Sequence, residues 1–373
     1  MEASVNITLK HLLELGQNGS FNTSAGDTYY GIPKEFQFLL LGIYSVTCLS
    51  ILLGNGFVCY TNVRLPGVRS VTNMFIISVS ITDIVMTVFC VPFTILSNLI
   101  FHYWPFWAFL CPLIGFLQMT SVLMRSFTLI AMTCDMYYTT ARPLKPHLLT
   151  KLQVKILLVL LLPVSCVFSL PPLLFSHIEY MPYEPGSNGL CLEIWPDDSL
   201  RSIYGICIMM LQYFIPLIVM TFCYIHIGII VWAKQIPGEA SPRRDERRAV
   251  SKKKTIKMII IVIISFLLAW LPIHVITIIG DLDKTIFNSN IVHMMWLTAH
   301  WVAFSNSGVN PLIYFWMNSK FRKGVYEGLQ TICCCKKNNN SVTLNWCKSI
   351  RNQFHNQQNQ TILLTKVSRR KPH

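Results

Sequence analysis

Charge is scarce in this chain, and acid is scarcest of all. Only 13% of the 373 residues are charged, with 17 Asp and Glu set against 31 Lys and Arg. A soluble globular chain has roughly a quarter of its residues charged. With 53% hydrophobic residues and a mean hydropathy of +0.47, an ordinary water-soluble domain is excluded, because it would need one oversized core. The opening stretch, Met1-Glu2-Ala3-Ser4-Val5-Asn6, lacks the apolar h-region of a cleavable signal. The first apolar run is therefore expected to act as span and targeting signal together. Internal repeats of the kind that build transporters are missing too. So are metal-spaced His/Asp/Glu clusters and a nucleophile with a nearby base, which argues against an enzyme; no cofactor and no metal is expected.

What is present is a series of apolar runs, at 38–63, 74–98, 108–138, 154–175, 203–232, 255–279 and 291–317. A helix needs about 20 mostly apolar residues to cross the hydrocarbon. Only helices and closed barrels satisfy their backbone groups there, and these runs are too long and uniform for barrel strands. The expected fold is an all-α bundle of seven transmembrane helices. A short amphipathic eighth helix over 319–329 would follow. Residues 1–36 read as an extracellular tail, 37–332 as the membrane domain with the eighth helix, and 333–373 as a polar cytoplasmic tail.

The bases settle the orientation. Arg64 and Arg69, then Arg142, Lys145 and Lys151, then Lys234 to Lys254, and finally Lys320, Arg322 and Lys323 lie in alternate connections. The other connections are base-poor, and the one over 176–201 carries Glu179, Glu184, Glu193, Asp197 and Asp198. The positive-inside rule places the basic loops in the cytoplasm and the N-terminus outside. The net charge of +14 is read as topology and attraction to anionic membrane lipid, not as a nucleic-acid surface.

Sequons at Asn6, Asn18 and Asn22 agree with an outer tail bearing glycans. Of thirteen cysteines only Cys111 and Cys191 fall on the outer side, where oxidation persists. A bridge between them would tie the acidic loop to the outer end of helix three. Cys333, Cys334 and Cys335 follow the amphipathic segment and suit palmitoylation.

Taken in order, the motifs are Gly54-Asn55, Asn73 through Asp83, and Trp104-Pro105-Phe106 ahead of Cys111. Asp135-Met136-Tyr137, Pro216 with Tyr224, Phe266 with Ala269-Trp270-Leu271-Pro272, and Asn310-Pro311-Leu312-Ile313-Tyr314 follow. Their arrangement resembles a rhodopsin-like (class A) G protein-coupled receptor over roughly residues 38 to 335. Within that class the chain resembles the neuropeptide Y, RYamide and RFamide peptide-receptor group. The carriers are Cys191-Leu192-Glu193-Ile194-Trp195-Pro196, Trp232 with Pro237-Gly238-Glu239, Gln118, Asp281 and His300.

The resemblance implies a receptor for an extracellular, amidated neuropeptide, working through heterotrimeric G proteins and arrestin. It implies a ligand cavity lined by Gln118, Asp281, His300, Glu193, Trp270 and His274, with Asp281 facing the arginine of the peptide tail. A carboxylate at a helix end can hold a guanidinium bidentately; the alternative is that Asp281 and Asp283 are a solvated loop. The outer half of helix three has no acid to pair with a biogenic amine, and helix seven has no lysine for retinal.

The resemblance also implies an activation core of Asn55, Asp83, Asp135, Tyr137, Tyr224, Asn306, Ser307, Asn310, Pro311 and Tyr314. Two residues depart from it. Arg125 stands where relatives carry a small polar residue beside a sodium pocket. Asp83 and Arg125 both lie about 16–20 Å from the inner surface at about 1.5 Å per residue. Intramembrane charges seek partners, so an Asp83–Arg125 pair in place of the ion is expected, helped by Asn306, Ser307 and Asn310. The alternative is an Arg125 that snorkels or faces a cavity. The second departure is Met136, where the family's Asp-Arg-Tyr motif has its arginine. It opens a second reading, a peptide-binding receptor that does not couple in the usual way, with Asp135 pairing instead with a base such as Arg142. Residues 237–250 read as an inner loop.

Overall fold

The structure is a computed structural model that describes residues 33–64, 70–142, 148–180, 189–233, 242–282, 286, 289–317 and 322. The chain divides into two units, Met1–Asn318 and Ser319–His373. In the second, only Arg322 is described. The proposed eighth helix, the sequons at Asn6, Asn18 and Asn22, and Cys333 to Cys335 therefore lie outside the described residues.

The first unit is a helical bundle. Helix α1 spans Lys34–Arg64. Helix α2 spans Val71–Phe101, its last turn, Leu96–Phe101, being π-helical. Helix α3 is Leu110–Ala141, and α4 is Lys151–Phe168, with a short continuation, Leu170–Phe175. Helix α5 joins Asp198–Met209 to Ile215–Ala233 through a π-helical turn, Met210–Phe214. Helix α6 is Pro242–Leu282 and α7 is Asn290–Met317.

Helices α1 to α6 each contain a stretch long and apolar enough to cross a membrane. In α7 the apolar content is diluted by His300, Asn306, Ser307 and Asn310, all buried. The side-chain distribution is that of a protein dissolved in lipid. Leu53, Leu160, Phe222, Leu268 and Leu312 are exposed, whereas Asn55, Asp83, Arg125 and Asn310 are each at most 3% exposed. Lipid tails solvate leucine as well as a core does, so burial goes instead to groups that need hydrogen bonds.

Helix starts follow local chemistry. Ser70 caps α2 by accepting from Asn73 N–H at 3.2 Å. Thr150 and Gln153 form a reciprocal capping box on α4. Asp197 caps α5 through Ser199 N–H at 3.2 Å. Helix α6 corrects the sequence reading: residues 242–250, expected in a loop, are its first turns. Pro242 at the first position is preorganised for a helix, and the Arg, Glu, Ala and Lys that follow are strong helix formers.

An antiparallel hairpin, β1 (Ser176–Glu179) and β2 (Leu190–Glu193), adds an element that the all-α expectation did not contain. Its register pairs Ser176 with Glu193 and Ile178 with Cys191. Trp104 N–H donates to Gly189 C=O at 2.9 Å, and the Cys111–Cys191 disulfide is formed. The acidic outer loop is thereby fastened across the bundle mouth. The bridge had been expected; the strand pairing that it steadies had no readable pattern in so short a segment.

The approach of α1 to α7 depends on glycine at Gly54. A Cβ on Gly54 would lie 2.8 Å from Pro311 Cβ and 2.9 Å from its Cγ, whereas one on Gly56 would meet nothing within 4 Å. Gly54→Ala should therefore push α1 off α7 and lower stability by about 1–3 kcal/mol, while Gly56→Ala should not. Thermal inactivation of the detergent-solubilised protein checks this. Equal midpoints for the two variants would contradict the packing.

Candidate functional site

Two sites stand out: a cavity at the outer end of the bundle and a charged cluster below it. The cavity is walled by Thr94 and Asn98 of α2, Gln118 and Val122 of α3, and Arg201, Tyr204 and Gln212 of α5. Trp270, His274 and Thr277 of α6, Trp296 of α7, and Glu193 and Trp195 at the end of the hairpin complete it. Gln118 Oε1 accepts from Thr94 Oγ at 3.5 Å. The Trp195 indole N–H donates to Glu193 Oε2 at 3.1 Å, and its ring packs against Phe175 and Tyr204 with centroids 4.5 and 5.2 Å apart. Tyr204 is itself held by donating to Phe168 C=O at 2.9 Å. The wall is thus aromatic with a few polar groups in fixed positions, the usual make-up of a ligand pocket.

Of the six residues expected at the cavity, Gln118, Glu193, Trp270 and His274 line it. His300 does not. It is 3% exposed, stacked against Trp296 at 5.6 Å, with Nδ1 2.8 Å from the Tyr44 hydroxyl. Trp296, one turn earlier on α7, takes the wall position, so His300 ties α7 to α1 instead. Asp281 belongs to α6, but its side chain lies outside the described residues, as does Asp283.

Arg201, Tyr204, Gln212 and Trp296 were not anticipated. The usable signal for Arg201 was a lone base in a strongly acidic outer loop. For the others no signal existed, because these helices are apolar around much of their circumference.

The charged cluster is compact. Arg125 Nη1 donates to Asp83 Oδ1 at 2.7 Å and to Ser307 Oγ at 2.6 Å. Ser307 donates to the same Asp83 oxygen at 2.9 Å, and Asn310 Nδ2 reaches Asp83 Oδ2 at 3.5 Å. Asn55 Nδ2 donates to Ile51 C=O at 3.1 Å and to Ser307 C=O at 3.2 Å, joining α1 to α7. Asn306 makes no contribution: both its amide atoms are buried without a partner among the described residues. Asn306 and Ser307 are adjacent on α7, about 100° apart around the helix, and only Ser307 is turned toward Asp83.

The two sites touch through aromatic rings. His274 stacks on Trp270 at 6.0 Å, Trp270 neighbours Phe266 at 5.9 Å, and the Arg125 guanidinium lies 5.5 Å from the Phe266 ring centre. The Trp270 and Phe266 rings thus stand between the cavity and the ion pair.

At the inner end, Asp135 and Met136 are buried, as is Tyr314 of α7, which follows Pro311 by three residues. Tyr224 of α5 is half-buried. Tyr137 meets His226 edge-on at 6.0 Å. The Asp135–Arg142 pair does not form; the Arg142 guanidinium sits over the Tyr138 ring, 5.3 Å from its centre. Arg142 lies about two helical turns beyond Asp135, just past the end of α3, where the half-buried Tyr138 ring is the nearer partner. Among the described residues no group of three metal-ligating side chains occurs.

Residues 54–314 match the model of the 7 transmembrane receptor (rhodopsin family). The chain belongs to that family, as a multi-pass plasma-membrane receptor and not an enzyme. Within the family it is related to receptors for peptides. It is 33% identical to the RYamide receptor of Tribolium castaneum over 82% of this chain and 84% of that one. It is 35% identical to the RYamide receptor of Drosophila melanogaster over 81% of this chain and 66% of that one. Identity to the Tachykinin-like peptides receptor 99D of Drosophila melanogaster is also 35%, over 83% of this chain and 60% of that one. The match thus spans less than two thirds of some of these relatives.

Proposed function

We propose that this chain is a cell-surface receptor whose outer cavity takes the end of an extracellular, amidated neuropeptide and which signals through heterotrimeric G proteins. The observation that carries the reading is the cavity itself. It opens under a disulfide-fastened hairpin, presents Glu193, Gln118 and an aromatic wall, and adjoins the buried charge cluster through neighbouring rings. The relatives' names point to amidated Arg-Tyr peptides as first candidates. In this reading seven helices cross the membrane with the N-terminus outside, and a palmitoylated amphipathic segment follows α7.

A second reading rests on Met136. A receptor without the motif arginine would bind peptide and couple weakly or not at all. The test is to express the full chain and measure both binding and G protein activation with amidated Arg-Tyr and Arg-Phe peptides. Binding with activation supports the first reading, and binding alone selects the second. No binding by any peptide removes both.

A further inference from the structure

Arg201 has no place in the reading above, and its position is costly. It lies in the first turn of α5, where the helix dipole disfavours a cation. It reaches the cavity wall, and its Nη2 is buried with no hydrogen-bond partner among the described residues. A buried donor left unmade costs more than an ordinary hydrogen bond gains. Glu193, the carboxylate on the same wall, does not relieve it. No ion pair joins the two, and Glu193 Oε2 accepts from the Trp195 indole. The cavity therefore holds a separated positive and negative group, and among the described residues no carboxylate pairs with the positive one.

We infer that Arg201 binds a carboxylate of the peptide, so that the cavity-bound segment carries an acidic group as well as the cationic one. This rests on the peptide-receptor reading. The guanidinium offers a planar fork of donors matched to a carboxylate, and the ligand satisfies the Nη2 that the protein leaves open. Asp and Glu side chains and a free C-terminus present the same chemistry. The inference extends to each, and the test separates them.

The probes are synthetic octapeptides ending in Arg-Tyr or Arg-Phe, each made amidated and as the free acid, with Glu or Gln scanned through the preceding positions. Binding to the full chain in vesicles is measured for wild type, Arg201→Gln and Arg201→Lys. Wild type should prefer either a Glu peptide over its Gln partner, or the free acid over the amide, by about 10-fold or more. A Glu preference identifies an acidic side chain in an amidated peptide, whereas a free-acid preference identifies the C-terminus and overturns the amidated end of the reading above, though not the peptide receptor. Arg201→Gln should abolish the preference within each pair, whatever it does to affinity overall, and Arg201→Lys should keep part of it.

Equal affinities within every pair on wild type would overturn the inference and leave the peptide reading standing. So would a preference that survives in Arg201→Gln. No binding by any probe would overturn both. Because the wild-type comparison needs no variant, poor folding of Arg201→Gln does not rescue the inference.

Discussion

Asp83→Asn should cost far more folded receptor than Asp83→Asn combined with Arg125→Ser. In the single variant the guanidinium stays where it is, 3% exposed, and loses its one anionic partner. Its Nε and Nη2 already lack partners among the described residues, so the contacts that remain, the amide oxygen of the replacement, Ser307 at 2.6 Å and the Phe266 ring, are all neutral. Removing one member of a buried pair costs about 3–5 kcal/mol, whereas replacing both members by neutral groups is often close to neutral. The double variant should therefore recover most of the loss, and surface expression with thermal inactivation in detergent measures it.

Arg125→Ser alone should fall between the two. The carboxylate it leaves behind keeps Ser307 and Asn310 and can neutralise itself with a proton or a small cation. This variant should consequently gain stability from added sodium, while the wild type, whose cation is tethered to α3, should not. Equal stability of Asp83→Asn and the double variant would show that the pair carries no charge compensation. Sodium dependence in the wild type would show that Arg125 does not substitute for an ion.

Met136→Arg should raise agonist-driven nucleotide exchange by about tenfold, the equivalent of one charge-assisted hydrogen bond, with peptide affinity unchanged. Met136 is 7% exposed beside Asp135, itself 1% exposed. A guanidinium introduced there would have that carboxylate to pair with and would restore the group that the family's motif offers to the G protein tail. Methionine offers neither contact. The assay compares exchange by purified G protein in vesicles holding the wild type or the variant. If the wild type already turns over as fast as Met136→Arg, the missing arginine is not the limit on coupling and the non-coupling reading falls.

These expectations differ in how far the sequence carried them. Asp83 and Arg125 were matched by depth alone, since a helix rises a fixed distance per residue and two intramembrane charges have few other partners. Distance along the axis could be read; rotation about it could not. Asn306 shows the difference. It sits beside Ser307 in the sequence and at the same depth, yet only Ser307 reaches Asp83. His300 shows it again, displaced from the cavity wall by Trp296 one turn away. An amphipathic helix in water announces its buried face by polarity. In lipid the core-facing and outward-facing residues are both apolar, as exposed Leu268 and buried Phe266 on α6 illustrate, and the pattern that would fix the rotation is lost.

By itself the sequence determined the number and order of the apolar runs, the Cys111–Cys191 bridge and the family. Each of these follows from which solvent a segment prefers or which compartment oxidises a thiol. The tertiary structure alone decided which side chains meet. Gly54 lets α1 close onto Pro311, the bridged hairpin brings Glu193 and Trp195 over the mouth, and α5 turns Arg201 into the cavity. Those choices depend on how helices pack against one another. That packing is a balance of small steric and polar terms between residues far apart in the chain, and no local pattern records it.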